Sequence, residues 1–240
     1  MYFGGRMVTL DIILPAYNPL PGWEDVVINR FLSLENQLPD FRLTLIIVND
    51  GSSKIDESVS LVKLKSRIPG LHWISYAVNK GKGYALRKGV QASESSLIIY
   101  TDIDWPYTEQ SMAGLIHELA GNTDAVIGVR DEAYHSHLPP ARRRIFRFLK
   151  KINARFFRLK VADTQAGLKG FKSHLKPLFL STTINRYLFD LEFIHLLSKN
   201  KSVVIKGYPV TLREGISFST MDRKILLQEG ANFLKIWMRT

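Results

Sequence analysis

Five short apolar runs, separated by stretches of helix length, constrain the fold of this chain more than any other feature. Val8 to Leu14, Leu43 to Val48, His72 to Ala77, Leu97 to Thr101 and Ala125 to Val129 have strand length and strand composition. The intervals read as helices from Trp23 to Glu35, Ser58 to Ser66, after Gly83 to about Ser93, and Thr108 to Ala120. A β-α-β-α rhythm of buried runs predicts an α/β fold with a mainly parallel sheet covered on both faces. Further along, a strand is expected over Gly167 to Lys172, a helix over Tyr187 to Lys199 and a strand over Val203 to Val210. The tail from Asp222 to Met238 reads as helical. No repeat, low-complexity tract or linker interrupts the 240 residues, so a single domain over residues 1–240 is expected.

In such a sheet the polar loops gather at the carboxyl ends of the strands, where ligands bind. Two runs end in acid: the second in Asn49-Asp50-Gly51, the fourth in Asp102-Ile103-Asp104. If the fourth strand continued, alternation would aim Asp102 and Asp104 to one side and turn Ile103 into the core. Two like charges facing one point need a cation between them, and Mg²⁺ or Mn²⁺ favours such oxygen ligands. The pattern therefore suggests a divalent ion holding a phosphate-bearing substrate. His135 and His137 lie in a polar loop without a supporting set of carboxylates and are not expected to bind metal.

Composition narrows the partners. The chain has no cysteine, which excludes disulfides and thiolate metal sites and fits a reducing, cytoplasmic compartment. No run of about 18 apolar residues is present, so no membrane-spanning helix is expected. The net charge is +11, from 33 Lys and Arg against 22 Asp and Glu. Much of that excess is local: nine basic residues and no acidic one lie between Arg142 and Lys160. Within that segment Ile145, Leu149, Ile152, Phe156 and Leu159 recur at helical spacing, with Phe148 on the same face. This is the pattern of a helix lying in a membrane interface. Each basic residue there contributes about 1 kcal/mol at an anionic surface. A core-packed helix with a solvated cationic face is the plainer alternative. Nucleic acid is not expected, because no recognised nucleic-acid module accompanies the charge.

Leu14-Pro15-Ala16-Tyr17-Asn18, Val48-Asn49-Asp50-Gly51-Ser52, Asn79-Lys80-Gly81-Lys82-Gly83 and Thr101-Asp102-Ile103-Asp104 follow one another in an informative order. In that order and spacing they resemble the family-2 glycosyltransferases with the GT-A fold, a Rossmann-like three-layer sandwich. Asp163-Thr164-Gln165-Ala166-Gly167-Leu168-Lys169-Gly170-Phe171 is similar to the motif of one branch, the polyprenyl-phosphate (dolichyl-phosphate) hexose synthases.

The resemblance implies roles residue by residue. Asp50 would contact the nucleobase, with Pro15, Ala16 and Tyr17 lining the same pocket; a cap on the next helix is the alternative for Asp50. Read from the residues themselves, Gly81 and Gly83 would let backbone approach the nucleotide while Lys80 and Lys82 supply positive charge, although a Gly-Lys-Gly turn also occurs in ordinary loops. Asp102 would face the ribose and the metal, and Asp104 would coordinate the metal. Arg213 would close over the donor diphosphate. Arg130 and Arg142, Arg143 and Arg144 are the candidates for the acceptor phosphate, within an acceptor loop and basic amphipathic helix over residues 131–162. Asp163, Gln165, Asp190 and Glu192 remain as sugar or base contacts, Asp190 being equally able to cap a helix.

The expected activity is inverting transfer of a hexose from a nucleotide-sugar to a polyprenyl phosphate at the inner face of a membrane. UDP-glucose is favoured as donor and GDP-mannose is the other option. One rival keeps the fold but attacks with a hydroxyl in polysaccharide or glycolipid synthesis, with Asp190 as base. Another is a non-catalytic basic protein that binds nucleic acid or membranes. Many relatives carry membrane-spanning helices after the catalytic domain. Here the basic helix, or a membrane-protein partner, is expected to supply the attachment.

Overall fold

A computed structural model describes residues 7–130, 166–186 and 188–214. The basic segment from Arg142 to Lys160, His135, His137, Asp163, Gln165 and the expected C-terminal helix lie outside the described residues.

Seven strands form one sheet: β1 (Val8–Ala16), β2 (Phe41–Asp50), β3 (His72–Tyr76), β4 (Leu97–Tyr100), β5 (Ala125–Arg130), β6 (Lys169–Lys172) and β7 (Ile205–Val210). Their order is β3-β2-β1-β4-β6-β5-β7. All neighbours are parallel except β6, which runs antiparallel between β4 and β5. The described helices are α1 (Trp23–Gln37), α2 (Glu57–Arg67), α3 (Lys82–Ala92), α4 (Glu109–Ala120), a short α5 (Lys176–Leu180) and α6 (Phe189–Lys199).

Strand alternation sorts the core into two layers. Leu10, Ile12 and Leu14 of β1 pack with Val27 and Phe31 of α1 and with Leu115 and Leu119 of α4. Ile13 turns to the other face, where Leu86 and Val90 of α3 join Phe179, Phe189 and Phe193 of α5 and α6. The aromatic residues there are edge-on or stacked: the Phe171 and Phe179 ring centroids are 5.1 Å apart, and those of Phe179 and Phe193 are 4.7 Å apart. Fully burying one such side chain stabilises the fold by roughly 1.5–3 kcal/mol. Helices on both faces therefore complete the expected three-layer α/β sandwich.

The expected elements that fall within the described residues are present with ends shifted by a few residues, and two features go beyond them. The short α5 was not anticipated, and β6 is antiparallel. Because β6 is reversed, its first residue, Lys169, meets the carboxyl ends of β4 and β5; it pairs with Tyr100 and Ile127. One edge of the sheet thus collects Ala16, Asp50, Tyr76, Tyr100, Arg130 and Val210 together with the approach to β6.

Candidate active site

Beyond Tyr100 the chain leaves the sheet and turns. The Trp105 amide donates to the Asp102 carbonyl at 3.0 Å, and Trp105, fully buried, adopts a left-handed conformation with φ 50°. Asp102 and Asp104 are therefore held by a turn and not by continued strand alternation, which corrects the geometric expectation while leaving both at the predicted edge. A second segment fastens this turn. Arg213 donates from Nε to the Trp105 carbonyl at 2.7 Å and from Nη2 to the Asp104 carbonyl at 2.8 Å. Its own amide donates to the Pro106 carbonyl at 2.9 Å. Arg213 is thus brought to the Asp pair, where it grips backbone.

The two carboxylates differ in surroundings. Asp102 Oδ1 accepts from the Lys82 ammonium at the first turn of α3. Its Oδ2 faces Gly167, where an added Cβ would come within 2.3 Å. Gly167 is itself fixed by donating its amide to the Tyr107 hydroxyl at 2.7 Å. Burial alone would lower the Lys82 pKa, but the charges of Asp102, Asp190 and Asp104 outweigh it and raise the pKa, so the amine stays charged. Asp104 reaches the surface. Even so, the protein packed around its carboxyl, then the charge of Asp102, raise its pKa above the ordinary value.

Asp50 ends β2 and is only 2% exposed. Its carboxylate accepts from the Lys80 amide at 2.8 Å, the Gly81 amide at 2.9 Å and Asn79 Nδ2 at 2.9 Å. It does not cap α2; Asp56 does, accepting from the amides of Ser58 and Val59. Burial, then the neighbouring Asp50 carboxylate, hold the Tyr76 phenol far above its usual pKa and so protonated.

The glycines of this loop serve protein packing. A Cβ on Gly81, whose φ is +98°, would lie 2.5 Å from the Asn185 carbonyl oxygen, and one on Gly83 would lie 2.4 Å from that of Ile184. Glu192 anchors that opposing loop, accepting from the amides of Thr183 and Ile184 at 2.8 Å each. Asp50, Gly81, Gly83 and Glu192 thus build the site's wall, and the structure leaves them little surface for a nucleotide. Ala16 is likewise fully buried. Of the expected base pocket, Tyr17 is 55% exposed, Pro15 is half-buried, and Lys80 lies exposed with its ammonium 4.7 Å from the Tyr84 ring centroid.

Asp190 caps no helix among the described residues, and its carboxylate is held by other side chains. Its Oδ1 lies 2.8 Å from the ammonium of fully buried Lys169 and accepts from the Tyr100 hydroxyl at 2.7 Å. Burial, then the Asp190 charge, raise the Tyr100 pKa well above normal, so the phenol remains a donor. Arg130 ends β5 beside Val210, at the same sheet edge as the Asp pair. Arg142, Arg143, Arg144 and Gln165 fall outside the described residues.

Sequence reasoning missed Lys82 and Lys169 as the partners of Asp102 and Asp190. The signal for Lys169 was present: a lysine inside an apolar strand of a two-faced sheet requires an acid nearby.

Among the described residues no group of three or more acidic, His or Cys side chains converges as a complete metal cage. Two carboxylates at one rim nevertheless fit Mg²⁺ or Mn²⁺ when substrate phosphates and water supply the other oxygens. Among the described residues no helix is long and apolar enough to cross a membrane.

The chain is similar to known proteins in sequence and fold. The family model described as glycosyl transferase family 2 matches residues 11–178. A dolichyl-phosphate beta-glucosyltransferase of Trichomonas vaginalis is 26% identical over 243 residues, covering 98% of this chain and 74% of that protein. Mannosyl-3-phosphoglycerate synthase of Rubrobacter xylanophilus superposes with a TM-score of 0.67 at 14% identity, over 97% of this chain and 73% of the other. The mannosyltransferase PcManGT of Pyrobaculum calidifontis, in complex with GDP-Man and Mn²⁺, superposes with a TM-score of 0.55 at 16% identity, over 83% and 54% of the two chains. The last two likenesses concern the fold, which is the GT-A sandwich. With most of its length matched, from β1 through α5, and its acids gathered at the carboxyl edge of that sheet, the chain belongs to glycosyl transferase family 2.

Proposed function

We propose that the protein transfers glucose from UDP-glucose to a polyprenyl phosphate, dolichyl phosphate being the type, at a membrane surface. The observation that carries this reading is the likeness to the Trichomonas dolichyl-phosphate beta-glucosyltransferase along 98% of the chain.

The site supports it chemically. A hydroxyl acceptor needs a base to take its proton, whereas a phosphate is already an anion and attacks without one. Asp190, the expected base for a hydroxyl, is instead occupied by Lys169 and Tyr100. An acceptor phosphate oxygen would form a bond to the sugar's anomeric carbon as the bond to the departing diphosphate breaks on the opposite face, inverting that carbon. Asp102 and Asp104 would hold Mg²⁺ or Mn²⁺, which when bound neutralises charge on the leaving diphosphate and is worth several kcal/mol. Arg213 keeps the Asp turn in shape. Arg130, Arg142, Arg143 and Arg144 would draw the acceptor phosphate toward the donor against the repulsion between them. The basic segment from Arg142 to Lys160 would keep the domain on an anionic, cytoplasm-facing bilayer.

Incubation with labelled UDP-glucose or GDP-mannose, Mn²⁺ and dolichyl phosphate in vesicles, followed by lipid extraction, tests the reading. Label from UDP-glucose in the lipid fraction, lost on chelation, is expected. Label from GDP-mannose alone would overturn the donor assignment, and label in a sugar polymer would favour a hydroxyl acceptor.

A further inference from the structure

Two lysine–aspartate pairs lie at this edge, and they differ in one respect. Lys169 and Asp190 are sealed, with side-chain exposures of 0% and 12%. Lys82 and Asp102 are enclosed less completely, at 22% and 40%. A sealed pair is held by the cost of leaving either charge alone in the interior. A pair that reaches solvent on its carboxylate side is held less tightly by that cost than a sealed one.

The less enclosed pair sits on the carboxylate that the ion needs. Asp102 Oδ1 carries the Lys82 ammonium, while Oδ2 is backed against Gly167. An ammonium and a divalent ion cannot share one oxygen without strong repulsion, so one must leave before the other is bound. Lys82 begins α3, an 11-residue helix, and carries its ammonium on a flexible four-carbon stem. A donor diphosphate at the Asp pair would lie beside the positive end of that helix and offer the displaced ammonium a stronger anion than Asp102.

We propose that Lys82 is an exchangeable counter-ion: it occupies Asp102 while the donor site is empty and passes to the donor's diphosphate as the divalent ion takes Asp102. The inference rests on the reading of Asp102 and Asp104 as the ion's carboxylates. It makes the metal and the nucleotide depend on each other. The ion alone must displace Lys82 without giving it a new partner, whereas ion and diphosphate together satisfy every charge. Binding coupled in this way commonly changes affinity by about fivefold or more. Lys82 also prevents Asp102 and Asp104 from facing each other as bare anions in the empty site.

Titration of Mn²⁺, read by electron paramagnetic resonance of the free ion with and without UDP, tests this on the intact protein. Wild-type protein should bind Mn²⁺ weakly alone and at least about fivefold more tightly with UDP. Lys82→Met should bind Mn²⁺ alone at least about fivefold more tightly than wild type, having no ammonium to displace. Its affinity for UDP at saturating Mn²⁺ should fall on the order of tenfold, through loss of a charge-assisted contact. Lys82→Arg keeps a cation on Asp102 and should bind Mn²⁺ alone no better than wild type. Lys82→Gln serves as a second uncharged variant should Lys82→Met fold poorly. Mn²⁺ binding that disappears in Asp102→Asn but is unchanged or weakened in the uncharged Lys82 variants overturns the exchange alone. Mn²⁺ binding that persists in Asp102→Asn overturns the exchange, and binding that persists when Asp102→Asn and Asp104→Asn are combined overturns the metal reading with it.

Discussion

Lys169 Nζ lies 2.8 Å from Asp190 Oδ1, and the lysine has no exposed side-chain surface at all. The reversed strand β6 delivers that ammonium under the carboxyl end of β4, where Tyr100 donates to the same oxygen. Removing one member of a buried pair strands the other, which costs about 3–5 kcal/mol. Lys169→Met should therefore lower unfolding stability by about that amount in denaturant titration, and Lys169→Met combined with Asp190→Leu should recover much of it.

Asp190→Asn separates the two acceptor chemistries. If a phosphate attacks, the folded variant should keep at least roughly a tenth of the transfer rate, since loss of a general base typically costs a hundredfold or more. Initial rates corrected for the folded fraction by circular dichroism decide this. Near-complete loss in folded protein would point to a hydroxyl acceptor.

Gly167→Ala should separate stability from activity. The new methyl would collide with Asp102 Oδ2, the free end of a half-exposed side chain, so the carboxylate can rotate away. Gly167 is buried, but with the carboxylate able to move, unfolding stability should fall by only about 1 kcal/mol, the central value for single substitutions. Transfer should fall by on the order of tenfold or more, because small misplacement of a reacting or coordinating group is costly.

Asp104 predicts a pH effect of defined sign. Its folded pKa is raised by the surrounding protein and by Asp102, so the folded state holds a proton that the unfolded state has already released. Metal-free stability should therefore fall as pH rises from the ordinary carboxylate value through the raised one. Asp104→Asn should remove that loss, melting higher than wild type at neutral pH and equal to it below the ordinary carboxylate pKa. The same variant should lose transfer activity. Melting curves of the metal-free pair across pH check the sign.

Asp50→Ala would leave the amides of Lys80 and Gly81 and the Asn79 amide group without their shared acceptor. A loss of about 3 kcal/mol in unfolding stability is expected, since hydrogen bonds to a charged group are worth about 1.5–3 kcal/mol each and water replaces part of them. Amide hydrogen exchange should rise first in the Asn79–Gly81 segment. Unchanged stability with weakened nucleotide binding would instead return Asp50 to direct base contact.

Much of the fold was legible because β1, β2 and β4 carry the apolar runs Ile12–Leu14, Leu45–Val48 and Leu97–Tyr100, and a sheet buried on both faces demands such runs. The edge carrying the site followed from Asp50 and Asp102-Ile103-Asp104 standing where those runs stop. Long-range pairing was not legible. Nothing local to Lys82 shows that it reaches Asp102, and nothing in Phe189-Asp190-Leu191-Glu192-Phe193 separates an acid bound to Lys169 from one bound to the Thr183–Ile184 amides. The packing role of the glycines at 81 and 83 was hidden for the same reason. Their lack of a side chain admits the loop at Asn185 and Ile184, a neighbour about a hundred residues away that only the fold brings close.

The most direct measurement compares two acceptors of equal chain length, a polyprenyl phosphate and the corresponding polyprenyl alcohol, with labelled UDP-glucose and Mn²⁺. The account predicts label on the lipid phosphate alone, abolished in Asp102→Asn and Asp104→Asn and by chelation. Equal or greater transfer to the alcohol, or transfer that survives loss of both acids, would contradict it.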